Sequence, residues 1–432
     1  MNSHDPNEPI AARPVAGFEP QPLAPQSQRV DVMDALRGFA LLGIFLVNMP
    51  YHNGSFYSTQ TPTMQWPSSI DHAAEFLVRA LAESKFYTMF SLLFGMGLAL
   101  QRERVLSRGG GFVGLYARRL LVLLGFGVCH IAFVWVGDIL LTYALLGFLL
   151  ILFSRRADKT LLAWFLSLAV LYPLVMAGMM SLPVIGELLP DGGAKFASEI
   201  AKGVEEARVE AERAIQNYST GDYVSVMRQR LHDWTSVGFY MVVMAPSIFS
   251  MFLLGVVAGR RGWLRTPEAH KKLWRDLLLI ALPIGLVLSI AAAYLLHDQN
   301  LARPTGRSAA GMGLSAAGAP LLCMGYVAIF VSVWQRLRGG MLRPLVATGR
   351  MALTNYLMQS IVCALIFHGY GLGWYGKTSP ATGVLIVFVV YATQIALSNW
   401  WLARYRFGPA EWLWRTLTYG RMQPMRGPAS GE

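Results

Sequence analysis

Apolar residues in this chain gather into stretches long enough to cross a bilayer, and short loops bearing arginine separate them. A span needs roughly 20 apolar residues. Stretches of about that length fall near 35–51, 84–101, 116–136, 138–154, 160–180, 236–258, 276–296, 312–334, 346–367 and 382–402. Lipid cannot satisfy free backbone groups, so such spans are helices. The pattern predicts an all-α, polytopic integral membrane protein with about ten transmembrane helices.

Basic residues orient the predicted spans. One set of loops holds Arg102, Arg104, Arg108, Arg118 and Arg119, then Arg155, Arg156 and Lys159, then the run from Arg260 to Arg275, then Arg336, Arg338, Arg343 and Arg350. Arg13, Arg29 and Arg37 at one terminus and Arg404, Arg406, Arg415, Arg421 and Arg426 at the other join that side. Both termini are thus expected in the cytoplasm. Hydrophobic residues at 54% and charged residues at 14% agree with the membrane class. The net charge of +12 mostly reflects the loop bias and accompanies no sizeable soluble domain, so nucleic-acid binding is not expected.

The organisation read from the sequence has five parts. Residues 1–28 are rich in proline and read as a disordered cytoplasmic tail. Residues 29–180 form an N-terminal membrane half and 236–403 a C-terminal one, each of about five helices. Between them, 181–235 is an extracytoplasmic insert whose Phe196, Ile200, Val204, Ala207, Ala211 and Ile215 recur at helical spacing. Its ion pairs, such as Glu205 with Arg208, suit either a solvated spacer or a lid over an outer vestibule. Residues 404–432 hold a short helix beginning at Pro409, whose tryptophans suit the membrane interface. Cys129, Cys323 and Cys363 all fall in predicted spans and form no metal-ligand spacing, so no metal is expected.

Ionisable groups within spans cost at least ~2.5 kcal/mol each and are functional candidates by default. In the first span Asp34, Arg37, Asn48 and His52 make a polar stripe, because eleven residues are close to three helical turns. Asp34 as an N-cap and Arg37 as a cytoplasmic anchor are the plainer readings. Lys85 opens the second span and can snorkel to the interface. Arg119 and His130 are again eleven apart in the third span, and Asp138 opens the fourth. A carboxylate beside a histidine orients the ring and stabilises its charged form, as in a catalytic base, although Asp138 can equally cap its own helix. The ninth span carries Arg350, Asn355 and Gln359, the two amides on one face. They suit a lined cavity or hydrogen bonding between helices.

Several blocks carry a resemblance: Asp34–Ile44 (DALRGFALLGI), Lys85–Gly97 (KFYTMFSLLFGMG), Arg118-Arg119 with His130 and Gly137–Leu140, Gly349–Tyr356 (GRMALTNY), and Arg406–Arg415 with Tyr419-Gly420. Together they resemble the YeiB-like family of uncharacterised bacterial membrane proteins, over nearly the whole chain after the tail. The resemblance implies a multi-pass protein of the bacterial plasma membrane. The DALRG opening is also similar to that of membrane acyltransferases that modify glycans. That remoter resemblance implies acyl-CoA as donor, Arg37, Arg119 and Arg350 meeting its phosphates, and His130 with Asp138 acting as base or acyl relay. The acceptor would be an extracytoplasmic glycan, lipid or small molecule.

Two functions remain open on these residues. One is acyl transfer across the membrane. The other is transport of a small polar solute along the same polar faces, with His130 and Asp138 as a proton relay. A scaffold or sensor role rests only on the amphipathic insert. Oligomeric state is not encoded in any visible pattern.

Overall fold

The computed structural model describes residues 30–57, 66–188 and 193–426. The tail expected at 1–28 and the last residues beyond 426 lie outside the described residues. Described residues form helices and turns, with no strand among them.

The first part of the chain runs through α1 (Asp31–Asn53), α2 (Ser69–Leu81), α3 (Lys85–Leu106), α4 (Phe112–Phe133), α5 (Leu140–Phe153) and α6 (Asp158–Glu187). Next come α7 (Gly193–Thr220), α8 (Tyr223–Arg260), the short α9 (Lys271–Asp276) and α10 (Leu282–Leu296), the last two joined by a π-helical stretch, Leu277–Ala281. The chain ends with α11 (Gly306–Arg336), α12 (Pro344–Arg350), α13 (Ala352–Phe367), α14 (Pro380–Leu402) and α15 (Pro409–Tyr419).

Helices occupy all ten expected stretches, but not all are spans by length and apolarity. Seven qualify, and eight if α12 and α13, bent by 82° at their junction, count as one. α5 is too short, its 14 residues covering about 21 Å. α3 is long enough but carries Arg102, Glu103 and Arg104 near its end, and much of its surface is buried by neighbours rather than by lipid. α6 shows the opposite: it leaves Leu166, Val170, Leu171, Leu174 and Leu182 exposed, as a lipid-facing helix does.

Close helix approach organises the centre. α3 crosses α8 where Gly95 and Gly255 face one another; a Cβ on Gly95 would stand 2.1 Å from the Phe252 carbonyl oxygen, and one on Gly255 the same distance from that of Leu92. Small residues permit such a crossing. Around it Phe94, Tyr143 and Phe252 pack, the Phe94 and Phe252 rings stacked at 4.5 Å. α1 packs against α3, α12, α13 and α14, and the Tyr391 hydroxyl on α14 donates to the Gly38 carbonyl at 2.5 Å.

Local signals set the helix starts. Asp222 caps α8 by accepting from the Ser225 amide, Thr305 and Ser308 form a capping box on α11, and Ser379 caps α14 ahead of Pro380. α8 is 38 residues, about 57 Å, against a hydrocarbon core of about 30 Å. Its first third therefore exceeds a single crossing at the end opposite the arginine-rich loops, where Val226, Gln229, Arg230 and Asp233 are buried against neighbouring elements. The stretch expected as an insert at 181–235 consists of the far ends of α6 and α8 with α7 between them. On α7 the apolar face turns inward: Ala211, Ala214 and Tyr218 are buried, and Phe196 packs over Gly186. α2 was not expected from the sequence. It is amphipathic, with Ile70, Leu77 and Leu81 exposed, and its buried Asp71 accepts from the Ala381 amide at the start of α14.

Candidate functional site: a far-end cavity beside a histidine–aspartate pair

At the end of the bundle away from the arginine-rich loops, α1, α3, α7, α8, α13 and the turn between α4 and α5 converge on a cavity of about 110 Å³. Its walls are mostly apolar and aromatic, including Tyr51, Phe56, Tyr87, Trp135, Tyr240 and Tyr356. Polar groups are few: Asn48, Glu83, Ser84, Arg230, Asp233 and His368. An apolar chamber with sparse polar groups is the usual form of a small-molecule site. Ser84 holds a left-handed conformation, φ 68°, where the chain turns into α3. Non-glycine residues adopt that region rarely, and such strain collects at functional sites.

His130, near the end of α4, is buried, and its Nδ1 lies 2.8 Å from Asp138 Oδ2. The other oxygen of Asp138 accepts from the Leu141 amide at 2.9 Å. Asp138 therefore holds the first turn of α5 and the His130 ring at once, one oxygen to each. With Nδ1–H directed at the carboxylate, Nε2 presents its lone pair, and Nε2 has no hydrogen-bond partner among the described residues. The pair exists because α5 lies against α4 at Gly127: a Cβ there would meet the Leu141 nitrogen at 2.6 Å and Asp138 Oδ1 at 2.9 Å. His130 itself does not line the cavity. The two rings beside it do: Tyr356, with centroids 5.3 Å apart, and Trp135, at 6.2 Å. His52 stacks on the other side of Trp135 at 4.0 Å.

The remaining sequence candidates separate into two groups. Asn48 joins the cavity wall. Lys85 is buried beside it, donating to the Arg79 carbonyl at 3.2 Å instead of reaching to the interface. The others sit toward the arginine-rich end, except that Asn355 and Gln359, flanking the cavity residue Tyr356 on α13, lie nearer mid-bundle. Arg37 pairs with Asp34 at 2.6 Å. Arg119 stacks on the Trp414 ring of α15, its guanidinium carbon 3.9 Å from the ring centre. Arg350 donates to the Arg406 carbonyl at 3.3 Å. Asn355 donates to the Thr348 carbonyl and to Ser398 Oγ, and Gln359 to Gln394 Oε1, all buried between α13 and α14. None of these lines the cavity.

At the α12–α13 break, Glu411 of α15 accepts from the Leu353 and Thr354 amides and from the Thr354 hydroxyl, at 2.6–3.0 Å. It supplies the cap that the first turn of α13 lacks. Loss of hydration raises the pKa of this carboxyl, against the pull of the bonds it accepts.

Sequence reasoning missed Arg230, Asp233, Tyr218 and Tyr356. Arg230 and Asp233 fell in the presumed insert because α8 was expected to start at 236. The signal was available: no proline or glycine interrupts 223–237, so helix continues from the Asp222 cap. No group of three or more His, Cys, Asp or Glu side chains fit to hold a metal occurs among the described residues.

Comparison with known proteins places this arrangement in a family. The chain is 37% identical over 417 residues to "Uncharacterized protein YxaH" of Bacillus subtilis, covering 92% of this chain and 96% of that protein. It is 29% identical over 410 residues to "Uncharacterized protein YeiB" of Escherichia coli, covering 90% and 96%. The chain belongs to the YeiB-like family. The family description "Protein of unknown function (DUF418)" matches residues 258–421, which run from the end of α8 through α15. A second Bacillus relative, an "Uncharacterized 39.9 kDa protein in amylase 3'region" of Bacillus acidopullulyticus, is 27% identical over 403 residues. YeiB-like membership thus extends over nearly the full chain, while the relatives' names carry no activity.

Proposed function

We propose that the protein is a membrane acyltransferase that moves an acyl group from cytoplasmic acyl-CoA to an acceptor held in the far-end cavity. The observation that carries this reading is the buried His130–Asp138 pair, with Nε2 unpartnered beside an aromatic chamber. A histidine held only for packing would have both nitrogens satisfied, because an unmet buried polar atom costs about 1–3 kcal/mol.

In this reading His130 Nε2 takes the proton of an acceptor hydroxyl or amine as the acceptor attacks the thioester carbonyl. The carbon–sulfur bond breaks, the new ester or amide bond forms, and Nε2 returns the proton to the departing thiolate. Asp138 holds the tautomer and stabilises the transient imidazolium. Acyl-CoA would supply the activated acyl group. Arg37 and Arg119, whose charges feel one another, and Arg350 would hold its phosphates after exchanging their present partners. Arg119 and His130 are three turns apart on α4, about 16 Å, so donor phosphates and transfer site would occupy opposite ends of one helix. Movement of the Trp135 or Tyr356 ring would open Nε2 to the chamber.

Purified protein incubated with radiolabelled acetyl-CoA tests the reading. Label should appear on protein, co-purified lipid or added glycan with the wild type and disappear with His130→Ala. Equal labelling by the two proteins would overturn it.

A second reading, transport of a small polar solute, is favoured by the 82° break between α12 and α13, since broken helices mark many transporter sites. Uptake into proteoliposomes without an acyl donor would select it.

A further inference from the structure

Arg230 is fully buried on α8 and lines the far-end cavity. Its Nη1 donates to the Ala132 carbonyl at 2.9 Å, which fixes the guanidinium against the end of α4. Its Nε and Nη2 make no close hydrogen bond among the described residues, although the Tyr370 hydroxyl is near enough to interact with the guanidinium. Those two nitrogens form one edge of the guanidinium, the edge that grips a carboxylate or phosphate with two parallel bonds. The nearby carboxylate of Asp233 is committed elsewhere, accepting from the Tyr218 hydroxyl at 2.9 Å and from Gln229 Nε2 at 2.7 Å. His368 is likewise engaged: its Nδ1 lies 2.9 Å from the Tyr370 hydroxyl, and its ring stacks on Tyr218. No ion pair within 4 Å reaches Arg230 among the described residues, Asp233 on the same helix being the nearby carboxylate; burying a charge is costly, so an anionic ligand would complete this side of the chamber.

We infer that Arg230 binds the carboxylate or phosphate of a ligand whose apolar or ring-shaped body rests on the aromatic walls, Tyr218 and Tyr375 among them. The anion comes from a lipid headgroup or from a soluble sugar phosphate or acid; the recognising chemistry is the same. The inference deepens the acyl-transfer reading by giving the acceptor an anionic group. Binding is measured without any acyl donor, so it stands or falls separately: a failed labelling assay leaves it intact, and a failed binding assay leaves the role of His130 intact.

The experiment uses the full chain in a nonionic detergent at low salt with two probe pairs. Dioctanoyl phosphatidylglycerol is compared with dioctanoyl phosphatidylcholine, and a hexose phosphate with the same hexose. The anionic member of one pair should bind at least about tenfold more tightly than its mate. The lipid pair responding identifies a headgroup, and the sugar pair a soluble ligand. Hydrogen exchange should slow within 218–237 and 366–376. Arg230→Gln should reduce the preference to under about threefold, and Arg230→Lys should retain part of it. Neither pair discriminating in the wild type, protection confined to other segments, or the preference surviving in Arg230→Gln would each overturn the inference. Should both variants fail to fold, wild-type preference and the protection map decide it.

Discussion

The two ends of the bundle hold similar numbers of costly polar side chains but treat them differently. At the arginine-rich end Arg37, Arg119 and Arg350 each have a partner and Glu411 caps α13, while nearer mid-bundle Asn355 and Gln359 bridge helices. At the far end, around an open chamber, His130 Nε2 and two nitrogens of Arg230 remain unpaired. Satisfied polar networks rigidify a fold, whereas an unsatisfied buried group requires an explanation. In the proposed reading, the contrast gives architecture to one end and chemistry to the other. It can be broken by substitutions whose effects fall on activity at one end and on stability at the other.

The largest effect is expected from Asp138→Asn. Asparagine has one carbonyl oxygen for two donors, Leu141 N and His130 Nδ1, and it remains a good helix cap. Acyl transfer should fall by about 10²–10⁴ while the purified protein keeps its helicity and melting temperature. Transfer within threefold of wild type would remove the far end's claim to chemistry.

Gly127→Ala comes next. The added methyl would meet the Leu141 nitrogen and Asp138 Oδ1, both closer than carbon tolerates. Overpacking of this kind costs typically ~1–3 kcal/mol. A lowered melting temperature is expected, and a drop in transfer with it as the pair is pushed apart. An unchanged melting temperature would show that α5 is free to shift, so that the pair is not rigidly held.

How far the sequence foretold this picture depended on range. Apolar length placed every core helix, because lipid contact acts on each segment alone. Apolar length overstates the number of spans: α5 is too short to qualify, and α3 ends in Arg102-Glu103-Arg104. Closeness across a short turn pointed to His130 and Asp138 as neighbours, and their side chains meet. For Asn355 and Gln359 cavity lining and bonding between helices both stood open; which neighbour a helix face meets is a tertiary property, and these amides meet α14. Arg230 was hidden for a related reason. Its meaning lies in the absence of a partner, and no local pattern can show that.

Glu411→Ala tests the capping role at the arginine-rich end. It frees the Leu353 and Thr354 amides and the Thr354 hydroxyl together. Loss of an N-cap costs about 0.5–2 kcal/mol. The thermal midpoint should fall, with faster hydrogen exchange confined to the first turn of α13. Fast exchange spread over the far-end segments instead would mean that the two ends are coupled.

The smallest change is expected from Gln359→Leu, and it sharpens the comparison most. Gln359 donates to Gln394, whose own amide donates to the Asn355 carbonyl, so the substitution removes one rung of a ladder between α13 and α14. Hydrogen bonds between membrane helices average only about 0.6 kcal/mol, and leucine fills a similar volume. The freed Gln394 oxygen retains a buried environment and offsets part of any packing gain. Net stability should therefore move by less than about 1 kcal/mol, and acyl transfer and anion binding should stay within twofold of wild type. A tenfold loss of either activity would show that this amide reaches substrate in some state of the protein. The amide ladder between α13 and α14 would then have to be counted with the site, and not with the scaffold.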